Sequence, residues 1–265
     1  MSCRSYSFTH AILRQPAHSI VDGLRAVDSG TPDLALFTEH HAAYATALES
    51  TSAAITLLDP IEEFPDSVFV EDTALCLPEG AIVMRPGAPS RLGEAAAMAP
   101  VLKQFYREVL TIEGDGFIEG GDILVTEREI LAGTSARTTI AGIEALQSLT
   151  ARWGYKVRGV STPADVLHFK TDCSLLDEET ILSTERLARS GCFEGYRVIF
   201  TAEGEEACAN SIRFNELLVV PDGFPRTAEL LDKAGYRVTS IGNTEAAKLD
   251  GGMSCLSLRF SPQSV

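Results

Sequence analysis

Cys255 and His168 are the side chains of this sequence that point most directly to covalent chemistry. Cys255 ends the run 250–255 (DGGMSC), in which two glycines permit close backbone approach to a ligand. A thiol in that setting, at the mouth of a strand, suits an exposed nucleophile. His168 lies in 166–170 (VLHFK), and its ordinary pKa of about 6.5 suits a general acid and base. Taken singly, each is more typical of a buried structural side chain, but both occupy the same position in the repeat described below.

Two further carboxylates, Glu119 and Asp122, interrupt the apolar segment 117–122 (FIEGGD). The plainer interpretation is a turn with solvated acids. The functional interpretation is a carboxylate that orients His168 or binds a cation.

Asp66, Glu71 and Asp72 form a second acidic group in 64–72 (FPDSVFVED). Asp66 and Asp72 are six residues apart, and a regular strand would point both side chains the same way. Two buried carboxylates need a cation to offset their desolvation. A ligand guanidinium, a protein arginine or a metal ion could supply it, and the metal is the runner-up because hard cations prefer oxygen ligands.

Three arginines lie in or beside loops rich in small residues, where a guanidinium can bind a carboxylate through two parallel hydrogen bonds. They are Arg85, Arg91 and Arg137. An amino-acid substrate would offer such a carboxylate. A surface ion pair is an equally good interpretation of any one of them.

The elements that must position these residues repeat in the order strand, turn, strand, helix, strand. The unit begins near Phe69, Phe117, Leu167, Ser211 and Cys255, at intervals of 44 to 50 residues. Such a period is typical of repeat architectures, and a unit split between the chain ends would close a ring. We predict an α/β fold of five ββαβ modules around a pseudo-five-fold axis. It forms one domain over residues 1–265, whose first and last segments share a module; the alternative is an ordinary α/β sandwich.

The predicted first strands of the five modules converge on a central channel, where polar side chains would meet. These strands span 67–76, 116–125, 166–170, 209–213 and 254–259. The predicted helices span 33–49, 92–106, 138–152, 184–191 and 226–234.

The chain carries 37 acidic against 22 basic residues, a formal charge of -15. This balance argues against nucleic-acid binding and favours cationic small molecules as partners. The sequence shows no signal peptide and no apolar stretch that could span a membrane. Its six cysteines, Cys3 among them, form no C-x-x-C pair. We therefore expect a cytoplasmic protein with reduced thiols, and a homo-oligomer stays open.

Several segments, in order along nearly the whole chain, resemble the dimethylarginine dimethylaminohydrolase family of the guanidino-group-modifying superfamily. They are 19–24 (SIVDGL), 64–72 (FPDSVFVED), 85–91 (RPGAPSR), 119–122 (EGGD), 167–170 (LHFK), 209–210 (AN) and 250–255 (DGGMSC). The resemblance implies a five-bladed α/β-propeller without metal or organic cofactor. The residues before the first of these segments, from Met1, look peripheral to it.

The resemblance also implies a role for each matching residue. Cys255 would attack the guanidinium carbon, His168 would shuttle protons and Glu119 would orient His168. The implied substrate-binding positions are Leu24 on a covering loop, Asp66 and Asp72 on the guanidinium, Glu71 beside them, Arg91 and Arg137 on the substrate carboxylate, and Gly252 and Ser254 through their backbone.

The implied reaction converts asymmetric dimethylarginine or monomethylarginine to citrulline and dimethylamine or methylamine. Arginine deimination, amidinotransfer and non-catalytic binding of arginine-like ligands are the alternatives. Because nearby carboxylates disfavour a thiolate, we expect Cys255 to be a thiol that ionises only when the cationic substrate arrives.

Overall fold

The structure is a computed structural model that describes residues 5–263, so Cys3 and the start of the chain at Met1 lie outside the described residues. It contains five three-stranded sheets. The first strands are β3 (Ala74–Cys76), β6 (Ile123–Val125), β9 (Cys173–Leu175), β12 (Ile212–Phe214) and β15 (Leu258–Phe260). The middle strands are β4 (Ala81–Val83), β7 (Ile130–Thr134), β10 (Thr180–Ser183), β13 (Leu217–Pro221) and β1 (His10–Arg14). The third strands are β5 (Val109–Thr111), β8 (Val157–Ser161), β11 (Arg197–Phe200), β14 (Arg237–Ile241) and β2 (Ala54–Leu58).

All five sheets share one topology, which confirms the predicted ββαβ module. The middle strand pairs antiparallel with the first strand and parallel with the third, as in the first module, where Ile82 lies opposite Leu75 and Leu110. A parallel pair needs a crossover connection, and a helix supplies it in every module. The helices are α1 (Leu34–Glu49), α2 (Leu92–Leu102), α3 (Ile140–Thr150), α4 (Glu185–Ala188), α5 (Pro225–Lys233) and the additional α6 (Thr244–Ala247).

The two ends of the chain meet in the fifth module. Strand β1 pairs antiparallel with β15, with Ala11 opposite Arg259, and parallel with β2, with Ala11 opposite Ile55. The first and last segments therefore share one sheet, as the repeat predicts. That residues 1–265 form a single domain stays a prediction.

The predicted first strands begin too early, because each module opens with a 3-10 turn, and the strand predicted over 166–170 is wrong because it ends before β9 begins. These turns include Pro65–Val68, Val70–Thr73, Gly120–Asp122, Phe169–Thr171, Glu206–Ala209 and Ser254–Leu256. The inference that Asp66 and Asp72 lie on one strand is wrong for this reason, since they belong to two successive turns. Buried apolar residues such as Val68 and Val70 continue through the turns, so the composition looks like that of a strand. In a 3-10 turn, however, successive side chains point about a third of a turn apart.

A central cavity of about 350 Å³ is lined by residues from the first strand of every module. The convergence of these strands confirms the predicted channel, but Cys255, His168 and Glu119 are not among the described residues that line it. The polar residues picked out in the sequence lie on the turns that lead into these strands. Among residues 5–263, no helix is long and apolar enough to cross a membrane.

Candidate active site

Cys255 lies on the 3-10 turn of the fifth module and is 8% exposed. Its Sγ accepts from the backbone N–H of Gly252 at 3.4 Å and from Asn210 Nδ2 at 3.9 Å. Burial, followed by the negative charges of Glu71 and Asp72, raises the pKa of Cys255 to about 12. The group is therefore a thiol near neutral pH in the ligand-free protein, in the direction expected from the sequence.

His168 and Glu119, from the third and second modules, form a buried hydrogen-bonded pair. His168 Nε2 lies 2.6 Å from Glu119 Oε2, and Glu119 Oε1 accepts from the backbone N–H of Gly87 at 2.9 Å. Burial alone would lower the pKa of His168, but Asp72, Glu119 and Asp122 outweigh it and raise that pKa to about 9. Burial likewise opposes charge on Glu119, and the hydrogen bond with His168 lowers its pKa to about 2. The pair is an imidazolium and a carboxylate near neutral pH.

Asp72 joins this pair because two glycines bring the first and second modules together. Asp72 Oδ1 accepts from the backbone N–H of Gly121 at 2.8 Å. A Cβ on Gly121 would lie 2.8 Å from that oxygen and 2.9 Å from Cγ of His168, and one on Gly120 would lie 2.0 Å from the carbonyl oxygen of Glu71. Only glycine permits this approach.

Arg91 is buried among carboxylates of the first module. Its Nη1 lies 2.5 Å from Asp72 Oδ2, and its Nη2 lies 2.8 Å from Glu94 Oε2. Arg137 Nη1 lies 3.3 Å from Glu119 Oε1, and its side chain is 19% exposed against 5% for Arg91. The cation beside Asp72 is thus a protein arginine, and Arg137 is the more accessible of the two guanidinium groups.

Leu24 and Asp66 lie at the edge of this cluster. The backbone N–H of Leu24 donates to Asp66 Oδ1 at 2.9 Å, and the backbone N–H of Ala26 donates to Asp250 Oδ2 at 2.6 Å. Burial raises the pKa of Asp66, although the positive charge of Arg91 opposes the shift. The loop over 23–27 is therefore held down by two carboxylates, and residues 26 and 27 line a cavity of about 960 Å³. This cavity reaches Asn210 and Gly252, whose N–H groups contact Cys255.

Glu71 faces away from this larger cavity. Its Oε1 binds Lys170 Nζ at 2.6 Å and Arg259 Nη2 at 2.7 Å, and its Oε2 accepts from Ser254 Oγ at 2.7 Å. Burial opposes charge on Glu71, but the two cations prevail and lower its pKa. All four side chains line the central cavity of about 350 Å³, which shares no lining residue with the larger one.

The structure therefore brings the main predicted site residues into one cluster with a contribution from each module, and Glu71 and Ser254 adjoin it from the side of the central cavity. Asp66 and Asp72 come from the first module, Glu119 from the second, His168 from the third and Cys255 from the fifth. The fourth module contributes Asn210, which adjoins the sulfur.

Comparison with known proteins places the chain in a family. The family model for arginine deiminase matches residues 32–220. The N(G),N(G)-dimethylarginine dimethylaminohydrolase of Pseudomonas aeruginosa is 41% identical over 254 residues, which span 96% of this chain and 100% of the relative. The protein of the same name from Streptomyces coelicolor is 30% identical over 94% of this chain and 96% of its own length. The chain belongs to the dimethylarginine dimethylaminohydrolase family.

Solved structures of dimethylarginine dimethylaminohydrolases share the fold throughout. A cysteine-to-serine mutant of the Pseudomonas aeruginosa protein, complexed with citrulline, superposes with a TM-score of 0.93 at 40% identity. The match covers 96% of this chain and 100% of that one. The fold is thus the α/β-propeller of this family, as the sequence predicts. The N-terminal domain of the cyanobacterial arginine dihydrolase ArgZ, at 19% identity and a TM-score of 0.83, shares the fold alone.

Asp72, Glu119 and His168 are also the residues that could hold a metal ion in this member of the family. Each offers one ligand atom, and the three atoms lie within 4.8 Å of one another. Oxygen and imidazole ligands suit a divalent cation such as zinc. The proton on His168 and the guanidinium of Arg91 compete for the same positions, so a metal would have to displace both.

Besides Asn210, three residues of the site carry no assignment from the sequence: Glu94 and Lys170 are buried and Arg259 is half-buried. Glu94 is 3% exposed, and burial raises its pKa to about 7 beside Arg91. Lys170 and Arg259 both form salt bridges with Glu71. The spacing of Arg91 and Glu94, three residues apart at the start of a helix, is a signal that could have indicated their ion pair.

Proposed function

We propose that this protein hydrolyses Nω-methylated arginines to citrulline and dimethylamine or methylamine through a covalent intermediate on Cys255. One observation carries the proposal: a thiol, an imidazolium–carboxylate pair and an acid from four different modules lie in one cluster. Relatives at 41% and 30% identity are named for this activity, and one structural neighbour is complexed with citrulline. An S-methyl-L-thiocitrulline adduct of a histidine-to-glycine mutant of a dimethylarginine dimethylaminohydrolase supports reaction with guanidino-like ligands.

The guanidinium of the substrate binds against Asp66 and Asp72 with its carbon facing Cys255. Holding the two reactants in one orientation makes attack effectively unimolecular. The incoming positive charge offsets the field of the acids, so the thiol loses its proton to solvent water and the thiolate adds to the carbon. Arg91 forms a salt bridge with Asp72. Substrate binding therefore requires Asp72 either to bind both guanidinium groups or to exchange Arg91 for the substrate.

His168 serves first as an acid and then as a base. With a pKa near 9 it begins as an imidazolium, and it donates its proton to the departing amine as the C–N bond breaks. The product is an S-alkyl thiouronium on Cys255. Neutral His168 then takes a proton from water, the oxygen attacks the thiouronium carbon, and the C–S bond breaks to release citrulline and the thiolate. Glu119 stabilises the charged form of His168 throughout.

The remaining contacts hold the amino-acid end of the substrate. We assign the substrate carboxylate to Arg137 and Arg91, with Arg137 first because it is the more exposed. Leu24 covers the ligand from its loop, and the backbone near Gly252 and Ser254 supports it. Glu71 holds Ser254 in place by accepting a hydrogen bond from its hydroxyl. It does not bind the substrate cation itself, because Lys170 and Arg259 already balance its charge.

The same proposal assigns the protein to the cytoplasm, with a methylated arginine as its small-molecule partner. It invokes no nucleic acid, membrane, metal or organic cofactor. A homo-oligomer is compatible with it and is tested by light scattering.

Product analysis tests the function. Purified protein is given arginine, monomethylarginine or asymmetric dimethylarginine, and citrulline and the released amine are both quantified. We expect citrulline with methylamine or dimethylamine, and a loss of at least about 1,000-fold in the Cys255→Ser variant. Ammonia from arginine as the dominant product would make the protein a deiminase, transfer to added glycine would make it an amidinotransferase, and binding without turnover would refute hydrolysis.

A further inference from the structure

Asn210 is the contribution of the fourth module to the site. It follows the 3-10 turn Glu206–Ala209 and is 6% exposed. Its side-chain amide lies between two parts of the nucleophile turn. Asn210 Oδ1 accepts from the backbone N–H of Ser254 at 2.9 Å, and Asn210 Nδ2 lies 3.9 Å from Cys255 Sγ.

The orientation of this amide is set by its surroundings. A backbone N–H can only donate, so the group facing Ser254 must be the carbonyl oxygen. The NH2 group is then turned toward the sulfur. Because Gly252 also donates its backbone N–H to Sγ, at 3.4 Å, two neutral donors converge on the same atom.

Gly252 permits this convergence. A Cβ at that position would lie 2.2 to 2.6 Å from Cγ, Nδ2 and Oδ1 of Asn210, well inside van der Waals contact. The amide therefore packs directly on the glycine backbone, and any larger residue at 252 would displace it. A Cβ on the neighbouring Gly251 would clash with the ring of Phe69 instead. The two glycines therefore make room for different side chains.

We propose that Asn210 is a positioning residue which, with the backbone amide of Gly252, forms a two-donor cradle for the ionised sulfur of Cys255. This inference deepens the proposed function and rests on it for its catalytic meaning. The thiolate occurs twice in the reaction, before attack and again when citrulline leaves. Neighbouring acids oppose it both times, since Glu71 and Asp72 disfavour negative charge on the sulfur. Hydrogen bonds to the charged form act in the opposite direction.

Alkylation of Cys255 by iodoacetamide tests the cradle without any turnover. The rate is followed by mass spectrometry of the Cys255 peptide as a function of pH, and its midpoint reports ionisation of the thiol. The variants are Asn210→Ala, which removes both amide groups, and Asn210→Asp, which keeps an acceptor for Ser254 and replaces the donor with a carboxylate.

The cradle predicts that the midpoint rises by about half a unit in Asn210→Ala and by about one unit or more in Asn210→Asp. The rise in Asn210→Asp includes the repulsion of the new carboxylate, so Asn210→Ala separates the cradle from a role limited to holding the Ser254 turn, which leaves the midpoint unchanged. An unchanged midpoint in Asn210→Ala would overturn the inference. If Asn210→Asp does not fold, as judged by circular dichroism, the midpoint of Asn210→Ala decides alone.

The outcome is separate from that of the proposed function. A shifted midpoint in a protein that releases no citrulline supports the cradle and refutes the hydrolase. Normal turnover of methylarginines with unshifted midpoints refutes the cradle only.

Discussion

Glu71 and Asp72 are neighbours on one 3-10 turn, yet they face two different environments. Glu71 is bound by Lys170, Arg259 and the hydroxyl of Ser254, beside the cavity formed by the first strands. Asp72 shares its single arginine with Glu94 and raises the pKa of His168, while both acids raise the pKa of Cys255. One turn therefore separates a carboxylate whose charge is matched by fixed cations from one whose charge acts on both reacting groups.

The comparison shows how burial can serve either stability or chemistry. A buried ion needs compensation, and removing one partner of a buried pair is costly because the other charge remains. The cations around Glu71 are fixed parts of the protein. Around Asp72 the positive charge is divided between Arg91 and His168, so an arriving guanidinium can replace part of it.

Removing the charge of Glu71 is the first test of this difference and has the largest expected effect. In Glu71→Gln, the buried Lys170 and the half-buried Arg259 are left without their counterion. We expect the free energy of unfolding to fall by about 3–5 kcal/mol in urea titrations. The control is Glu129→Gln, whose partly exposed pair with Arg158 should contribute less than about 1 kcal/mol. Full stability with abolished turnover would place Glu71 in the chemistry instead.

Removing the charge of Asp72 should mainly affect turnover. Arg91 keeps Glu94 in Asp72→Asn, whereas His168 loses a carboxylate that raises its pKa and the guanidinium loses an acceptor. We expect kcat/KM to fall about 100-fold, equivalent to about 2.7 kcal/mol, measured as citrulline release.

Asp172→Asn is the matched control for this second test. Asp172 is also a buried aspartate paired with an arginine, Arg186, but it lies outside the site. The control should lose stability and keep its kcat/KM. A larger loss of stability in Asp72→Asn than in Glu71→Gln would remove the distinction between the two acids.

The different ion pairing of Glu71 and Asp72 could not be predicted from the sequence, although the positions of the main site residues could. Glycines beside polar residues at 119–122 and 250–255 recur in phase with the strands, and that phase predicts the channel and the meeting of Cys255, His168 and Glu119. Which cation binds which acid depends on side-chain directions in short turns. The pairings of Arg91 with Asp72, and of Lys170 with Glu71, join residues 19 and 99 positions apart. No local pattern encodes them, and the amide of Asn210 gives no signal of its own.

The pH dependence of stability is the third test, with the smallest expected change over one pH unit, and it compares two buried histidines. His168 lies among acids and its pKa is raised to about 9, whereas burial lowers the pKa of His41 to about 4. The contribution of His168 should be complete below the unfolded-state pKa of about 6.5 and disappear as the pH rises through about 9. Its loss should reach about 1.4 kcal/mol per pH unit, measured as the difference in unfolding free energy between the unmodified protein and His168→Gln.

His41 should give the opposite sign in a lower range. Between about pH 4 and 6.5 the unfolded chain binds a proton that folded His41 refuses, so its contribution falls with falling pH and is complete above about 6.5. The His41→Gln difference should therefore change on the acid side, and the His168→Gln difference on the alkaline side. The charge of Asp72 is the largest contribution that raises the pKa of His168. Repeating the His168→Gln comparison in an Asp72→Asn background should therefore move the alkaline change in unfolding free energy toward neutral pH. If the alkaline change stayed in place, the charge on His168 would depend on Glu119 and Asp122, and Asp72 would be only the partner of Arg91.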